Sequence, residues 1–329
     1  MLRKSGISVH IFEISKRIAK TRREDRFFGA ATSLPGNIIR LARLLRDLQI
    51  DMVHTNTVKA HMIGVPAARL SGIPVLMHVR DILEHQGRQI VRFYGKRLAT
   101  QLVCVSEAVA RWYQFSERSV VYNPIDVSRY DGAPTRVQAR EMLNLPADLP
   151  LVGMVGRINR WKGHDQFLQI LDAARAHADI GGVIVGEARF RDDDFVPELH
   201  RKIEHLGLKD RVFFVPWLSD PQVAYRALDL HCSCSTREPF GRTIIEAAAC
   251  GTPTISFDDG AAAEIISHGV DGYLVPAGET AAFARTILSA LSNDGTERMS
   301  VAARCMSRRF GVDQHRAAMV DLFRSMEKH

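Results

Sequence analysis

The feature that most constrains the fold is a regular alternation of short Val- and Ile-rich runs with longer amphipathic segments. Strands that alternate with helices predict parallel sheets joined by right-handed crossovers. The runs fall into two series, so the sequence predicts two doubly wound α/β domains. The predicted strands are 6–12, 51–54, 75–79, 102–105 and 120–122 in the first series, and 151–155, 182–185, 212–215, 228–232 and 252–256 in the second.

A proline-rich segment separates the two series. Residues 123–150 contain four prolines and the turn signal Asp131-Gly132. We therefore predict an N-terminal domain over 1–125 and a C-terminal domain over 126–310. The segment 311–329 contains a predicted amphipathic helix and is a candidate to return to the N-terminal domain.

The composition is that of a globular protein. The chain has 329 residues, of which 46% are hydrophobic and 25% charged, which suits two domains with their own cores. No run approaches the roughly 20 apolar residues that span a bilayer, and the N-terminus does not resemble a signal peptide. Five scattered cysteines are predicted to be buried thiols rather than metal ligands. These features predict a cytoplasmic protein.

The charge is basic and unevenly distributed. The formal net charge is +7, and the N-terminal region carries much of the excess. Such a field attracts anionic partners, among them phosphorylated ligands and an anionic membrane surface. Nucleic acid is disfavoured as a partner because the basic residues lack interleaved aromatic residues. The cations concerned are Arg3, Lys4, Lys16, Arg17, Lys20, Arg22, Arg23 and Arg26, followed by Arg40, Arg43 and Arg46 on one predicted helix.

A glycine-bounded loop with three cations follows the predicted strand 151–155. It runs from Gly156 through Arg157 and Lys162 to Gly163, where a helix is predicted to begin. Glycine allows close approach to a ligand, arginine can present a fork to a diphosphate, and lysine presents a compact charge. The spacing matches neither the dinucleotide fingerprint nor the Walker loop. The residues alone leave a diphosphate site and an ordinary surface loop equally open.

Two glutamates flank the start of another predicted helix, which ends at Gly251. Glu238 lies in the loop before the helix and Glu246 about one turn inside it, while the amides of residues 241–243 form an anion site at its N-terminus. A carboxylate beside such a site suits a neutral polyhydroxylated ligand, because an ionised carboxylate only accepts hydrogen bonds. Taken alone, however, the two glutamates are more typical of a capped surface helix.

Three motifs in this order resemble the retaining glycosyltransferases of family 4. They are Gly156-Arg157-x-x-x-x-Lys162-Gly163, Glu238-Pro-Phe-Gly241 with Glu246 eight residues after the first Glu, and Gly260-Ala-Ala-Ala-Glu264-Ile-Ile. The segments 51–56, 105–107, 121–126 and 269–276 are also similar, so the resemblance covers nearly the whole chain. The family has the GT-B fold, an α/β architecture of two Rossmann-like doubly wound domains facing a cleft. That fold is therefore the expectation for this chain.

The resemblance implies a role for each matching position. Arg157 and Lys162 would bind the donor diphosphate, and Glu238 would bind hydroxyls of the transferred sugar near the reacting centre. Glu246 would hold the ribose hydroxyls of the nucleotide. The other donor-binding residues implied are Gly156, Phe240, Gly241, Thr243 and Glu264.

The resemblance also implies that neither a metal nor a cofactor is needed. Family members do not depend on an Asp-x-Asp metal site. The triplet Asp192-Asp193-Asp194 matches that pattern in letters only, and we interpret it as the acidic start of a helix over 195–206.

Two acceptor-side candidates, His78 and Arg80, lie at the end of the predicted strand 75–79. The family commonly has His-Asp here, whereas this chain has Arg80-Asp81 with His78 two residues earlier. Strand alternation predicts that both side chains point to one face. Arginine can donate a hydrogen bond but cannot act as a base. For His78, a catalytic role and a structural hydrogen bond to the backbone both stay open.

Two functions remain open from the sequence. The first is a retaining glycosyltransferase that moves a sugar from a UDP- or GDP-sugar to a glycan or lipid-linked acceptor, in surface polysaccharide or glycolipid synthesis. The second is a catalytically impaired relative that binds a nucleotide-sugar or a partner protein, because the chain starts where the family's second strand is expected and shows no counterpart of its first strand and glycine loop. A sugar-nucleotide epimerase is disfavoured by the Glu-Pro-Phe-Gly motif.

Overall fold

The structure is a computed structural model that describes residues 7–12, 14, 34–188, 194–292 and 296–327. Two compact units make up these residues. Unit 1 contains the described residues up to Val121 together with those from Asp321 onward, and unit 2 contains the described residues of Tyr122–Val320. Each unit is built around one parallel sheet.

Unit 1 has a four-stranded parallel sheet in its described part. The strands follow one another across the sheet in chain order, and helices form the crossovers between them. The strands are β1 (Val53–Thr55), β2 (Val75–Val79), β3 (Gln101–Cys104) and β4 (Ser119–Val120). The helices are α1 (Leu34–Asp47), α2 (Val58–Leu70), α3 (His85–Arg97) and α4 (Glu107–Tyr113).

Unit 2 has a six-stranded parallel sheet in its described part. Its strands are β5 (Leu151–Val155), β6 (Gly181–Val185), β7 (Val212–Val215), β8 (Leu230–Ser233), β9 (Thr254–Asp258) and β10 (Gly272–Pro276). They lie in the order β10-β9-β8-β5-β6-β7. The helices are α5 (Arg136–Met142), α6 (His164–Arg175), α7 (Phe195–His205), α8 (Gln222–Ala227), α9 (Arg242–Ala249), α10 (Ala262–Ile265), α11 (Thr280–Ser292) and α12 (Thr296–Ser307), and α13 (Val312–Met326) continues into the last residues of unit 1.

Alternate residues of the central strands of unit 2 enter two different cores. Val152, Met154 and Ile184 pack with residues of α6, α7 and α11, whereas Leu151 and Val183 pack with residues of α5 and α8. Successive side chains of a strand point to opposite faces, so a sheet covered by helices on both sides needs apolar residues at every position. This explains why these strands are continuous apolar runs in the sequence.

The predicted strand over 6–12 is wrong for residues 7–12, which form no strand, and Gly6 lies outside the described residues. A strand is stable only beside a partner, and the side chain of Ile11 is 79% exposed. Conversely, β10 is a strand that the sequence analysis did not predict. The basic residues from Arg3 to Arg26 also lie outside the described residues.

The described part of the chain contains no helix with both the length and the hydropathy needed to cross a membrane. Cys104, Cys232, Cys234 and Cys250 are buried free thiols, as predicted, whereas Cys305 is exposed. The prediction of a buried thiol is therefore wrong for Cys305, whose side chain lies on a solvent-facing part of α12.

Candidate active site

The strand order of unit 2 brings together two loops that are distant in sequence. β5 and β8 are hydrogen-bonded neighbours, and the chain then proceeds outward in opposite directions, through β6 and β7 on one side and through β9 and β10 on the other. This is a topological switch point, where ligands of parallel sheets bind outside the carboxyl ends of the strands. The loops after β5 and β8 carry Lys162 and Glu238.

The loop after β5 is shaped by a short turn. Asn159 is buried, and its Oδ1 accepts a hydrogen bond from the Lys162 backbone nitrogen at 3.2 Å, which caps a 3₁₀ turn over Arg160–Lys162. Gly163 follows with a φ of +76°, and a Cβ at this position would collide with the carbonyl of Cys234. The turn therefore needs glycine, and it packs closely against the end of the β8 segment.

Lys162 and Glu238 form an ion pair between the two loops. Lys162 Nζ lies 2.6 Å from Glu238 Oε2, and the two side chains are only 16% and 10% exposed. The ammonium also lies 4.3 Å from the ring centroid of Trp161. A carboxylate so sheltered from water is costly unless a cation or donors accompany it. The interpretation of Glu238 as a surface glutamate is therefore wrong.

Glu246 is also buried, on the inner side of α9. Its Oε2 accepts a hydrogen bond from the Tyr225 hydroxyl at 2.9 Å, and its Oε1 accepts one from Arg242 Nε at 2.7 Å. Tyr225 is fully buried, whereas the side chain of Arg242 is 67% exposed. The interpretation of Glu246 as a surface glutamate is therefore also wrong, since the protein buries it and supplies two hydrogen-bond donors to its carboxylate.

Phe240 and Glu264 lie in an aromatic cluster of unit 2. The Phe240 ring centroid is 6.0 Å from that of Tyr122 and 5.8 Å from that of Phe310, and Phe240 is 4% exposed. The Tyr122 hydroxyl donates to Glu264 Oε2 at 3.2 Å. Because the Phe240 ring is enclosed by other aromatic rings, a donor-binding role at this position would fall to its backbone.

The other donor-side residues surround the same two loops. Arg157 is exposed, and Gly156 and Thr243 are partly exposed. A Cβ placed on Gly156 would lie 3.7 Å from Thr243 Cγ2, which shows that the loop after β5 adjoins the first turn of α9. Gly241 is the N-cap residue of α9. All donor-side residues predicted from the sequence therefore lie in unit 2, at its switch point or in its aromatic cluster.

His78 and Arg80 lie in unit 1. His78 is buried on β2, and its ring stacks on that of His54 with 5.6 Å between centroids. Arg80 follows the last strand residue, Val79, and is exposed. His78 therefore lies within the strand and Arg80 one residue beyond its end, and a shared face for the two side chains stays a prediction.

Burial lowers the pKa of three histidines. The pKa of His231 falls to about 3, with a further contribution from the Lys162 ammonium, and that of His164 falls to about 4. In unit 1, burial lowers the pKa of His61 to about 4, with a smaller contribution from His54. These side chains are therefore neutral in the folded protein at neutral pH and do not act as cations in the site.

We predict that acid destabilises the protein through these histidines. Between pH 6.5 and about 4 the unfolded chain binds protons that the folded chain does not, so the free energy of unfolding falls as the pH falls. One such histidine contributes about 2 kcal/mol of this loss by pH 5. Urea denaturation at about pH 7.5 and pH 5 measures it. His231→Gln should shrink the pH effect, whereas the matched replacement of the exposed His177 should leave it unchanged. Equal pH effects in both variants would contradict the prediction.

Sequence reasoning missed Asn159, Tyr225 and Tyr122 as partners of the site residues. Tyr225 stands in the run Val223-Ala-Tyr-Arg-Ala227, where an aromatic residue is equally typical of a core. Asn159 carries a usable signal, because Asn before a short turn is a common capping residue. Asp192 and Asp193 lie outside the described residues, and Asp194 is the N-cap residue of α7.

Comparison with known proteins agrees with this geometry. The family model for glycosyl transferases group 1 matches residues 136–305, and the model for glycosyltransferase family 4 matches residues 1–129. The first of these matches alone covers more than half of the chain. The chain belongs to the group 1 glycosyl transferases.

Two of the relatives of this glycosyltransferase are themselves named as sugar transferases. A D-inositol 3-phosphate glycosyltransferase of Xylanimonas cellulosilytica is 28% identical over 98% of this chain and 92% of the relative. A lipopolysaccharide core biosynthesis mannosyltransferase, LpsB of Rhizobium meliloti, is 30% identical over 63% of this chain and 61% of the relative.

A solved structure of HepE from Anabaena in complex with UDP and glucose is similar with a TM-score of 0.83. It has 26% sequence identity to this glycosyltransferase and covers 98% of this chain and 88% of that one. The likeness confirms the GT-B architecture of two Rossmann-like units with parallel sheets. It also confirms that the family resemblance extends across both units.

Proposed function

We propose that this glycosyltransferase moves a sugar from a UDP- or GDP-sugar to a glycan or lipid-linked acceptor, with retention of anomeric configuration. The observation that carries the proposal is the sheltered pair of Lys162 and Glu238, whose charged atoms lie 2.6 Å apart at the switch point. One member is suited to a diphosphate and the other to sugar hydroxyls. The HepE complex holds UDP and glucose, which supports a nucleotide-sugar donor.

The proposed chemistry places the diphosphate against the N-terminus of α9. The amides of the first turn, from Gly241 to Thr243, and the cations Arg157 and Lys162 would stabilise the charge that develops on the leaving nucleoside diphosphate. The bond between the anomeric carbon and the phosphate oxygen breaks, and a bond to the acceptor oxygen forms on the same face. The acceptor proton passes to the departing phosphate, and the proposed route uses neither a metal nor a cofactor.

On the acceptor side we propose that His78 and Arg80 act near the reacting sugar. Arg80 would donate hydrogen bonds to a hydroxyl or phosphate, and the low exposure of His78 fits a fixed donor rather than a mobile base. An acceptor in surface polysaccharide or glycolipid synthesis is supported by the similarity to LpsB, which is named for lipopolysaccharide core biosynthesis.

A panel of UDP- and GDP-sugars tests the proposal. Release of nucleoside diphosphate identifies the donor, and NMR of the product shows whether the anomeric configuration is kept. Transfer or hydrolysis with one donor and a retained configuration is the expected result. Donor binding without any turnover would instead support the catalytically impaired relative, and an inverted product would contradict the proposed chemistry.

We further propose that α1 contacts the inner face of an anionic membrane, where lipid-linked acceptors lie. Arg40, Arg43 and Arg46 are exposed along it, and so are Ile39 within the helix and Leu48 just after its end, at 46% and 38%. Basic residues near an anionic surface contribute about 1 kcal/mol each, while exposed apolar side chains enter the interface. This would make the enzyme a cytoplasmic protein with peripheral membrane attachment.

Charge reversal tests the membrane proposal. Replacing Arg40, Arg43 and Arg46 with glutamate should weaken co-sedimentation with phosphatidylglycerol vesicles about a hundredfold. The matched control reverses three cations of unit 2, Lys209, Arg285 and Arg298, which are also exposed. Equal losses in the two variants would show that total charge, rather than α1, determines binding.

A further inference from the structure

Trp161 is an exposed aromatic residue beside a sheltered ion pair. It is 42% exposed, whereas the side chains of Lys162 and Glu238 are much less so. The Lys162 ammonium lies 4.3 Å from the centroid of the Trp161 ring and 2.6 Å from Glu238 Oε2. The ammonium thus has two partners of different kinds, an aromatic ring and a carboxylate.

The contact between the ammonium and the ring does not follow from the adjacency of the two residues. Both lie in the 3₁₀ turn over Arg160–Lys162, in which successive side chains project about 120° apart. The Lys162 stem therefore bends back toward the Trp161 ring to place its ammonium there. The face of a tryptophan ring attracts a cation within about 6 Å of its centroid, so the contact has the distance of a cation–π interaction.

The backbone of Trp161 is tied to the segment that carries Glu238. The Trp161 carbonyl accepts a hydrogen bond from the Thr236 nitrogen at 3.0 Å, and Thr236 lies shortly before Glu238 in the chain. Gly163, which follows the turn, packs against the carbonyl of Cys234 in the same segment. The two partners of the ammonium are therefore carried by loops that are fixed to each other, and the Lys162 stem is the flexible part.

The two partners differ in how they would act on an incoming anion. A carboxylate competes with a phosphate for the ammonium, because both are negatively charged. An aromatic ring has no net charge, and it attracts the ammonium without repelling a phosphate. A lysine stem loses considerable rotamer freedom when it is ordered, and ordering it before the ligand arrives reduces that cost at binding.

We propose that Trp161 is a positioning residue, which holds the Lys162 ammonium at the donor site while its anionic partner changes from Glu238 to the diphosphate of the nucleotide-sugar. The inference rests on the proposed function, which assigns Lys162 to the diphosphate. Trp161 acts through Lys162 in this proposal. Its contribution should therefore depend on the aromatic character of the ring and on the presence of the ammonium.

The test measures kcat/KM for sugar transfer and, by calorimetry, the affinity for UDP and GDP in variants of the full chain. Trp161→Leu removes the aromatic ring and should lower both quantities about tenfold, the effect of a cation–π contact that is largely shielded from water. Trp161→Phe keeps an aromatic face and should lose about threefold or less. Melting temperatures report whether each variant folds, and Trp161→Met replaces Trp161→Leu if that variant does not.

A double-mutant cycle separates positioning of Lys162 from a structural role of the ring. Lys162→Met removes the ammonium but keeps an unbranched stem, so Trp161→Leu should cost less than about twofold more in this background. Trp112 is the matched control, because its ring contacts the Arg88 guanidinium at 4.8 Å in unit 1. Trp112→Leu should leave the affinity for UDP and GDP unchanged.

The outcomes distinguish this inference from the proposed function. Equal losses in Trp161→Leu and Trp161→Phe would overturn the inference, and so would the same loss from Trp161→Leu with and without the ammonium. Either result would leave the donor site intact. Failure of the unmodified protein to bind either UDP or GDP, or normal affinity for them in Lys162→Met, would instead contradict the donor site itself, and the inference with it.

Discussion

Replacement of Lys162 by alanine is expected to lower kcat/KM for sugar transfer about 10²- to 10³-fold. In the proposed site Lys162 supplies the cation closest to Glu238, and both side chains are less than one-fifth exposed. A charge in such a sheltered site stabilises a developing phosphate charge far more than one in water does. Steady-state kinetics with the identified donor, together with calorimetry of UDP and GDP binding, measures the loss.

A second substitution and a control sharpen this prediction. Glu238→Ala should weaken binding of the nucleotide-sugar but not of the nucleoside diphosphate, because the proposed role of Glu238 concerns the sugar alone. Arg160 is the matched control, since it lies in the same turn but pairs with Glu198 at 2.6 Å on the exposed side. Arg160→Ala should retain nearly full activity. Normal donor affinity in both Lys162→Ala and Glu238→Ala would contradict the assignment of these two residues to the donor site.

Substitution of Gly260 by alanine is expected to disrupt the site although no charged residue is replaced. Gly260 has a φ of +65°, and an added Cβ would lie 2.5 Å from the Glu238 nitrogen and closer still to its carbonyl oxygen. The Glu238 backbone would therefore have to move, and a displacement of about 1 Å can cost about a hundredfold in rate. We expect this loss in kcat/KM together with a lower melting temperature.

Gly269 provides the control for backbone strain. It has a φ of +77°, and a Cβ there would meet no atom within 4 Å. Gly269→Ala should therefore show only the cost of a left-handed alanine, about 1–2 kcal/mol in the free energy of unfolding, with unchanged kinetics. If the two variants lose activity equally, the close approach of Gly260 to Glu238 is not what maintains the site.

The sequence was enough to propose the donor half of the site because its signals are local. Lys162 and Glu238 lie in loops after recognisable apolar strands, Glu246 lies about one turn inside the helix that follows, and the order of the motifs identified the family. The strand order that makes β5 and β8 neighbours is not visible in any local pattern. The ion pair between Lys162 and Glu238 joins residues 76 positions apart and could be found only from the fold.

Burial was the property that the sequence predicted least well. Two glutamates near a helix start are typical of a surface, yet both are buried because Lys162, Tyr225 and Arg242 satisfy them. His78 and Arg80 differ in burial because the strand ends between them, and element ends are set by pairing with neighbours rather than by propensity. The run 6–12 has a strand composition, but its described residues lack the pairing that makes a strand.

The pairing of Lys162 with Glu238 has a consequence for turnover. In the proposed cycle the Lys162 ammonium is already paired with the Glu238 carboxylate when the donor arrives. Binding of the donor replaces that carboxylate by a phosphate of the donor as the partner of Lys162. This replacement lowers the net free energy gained when the donor binds. After the sugar has been transferred, the Glu238 carboxylate again competes with the phosphate for the Lys162 ammonium. Departure of the spent nucleotide is often the slow step in enzymes of this kind. An internal counter-ion of this sort would trade some donor affinity for faster release of product.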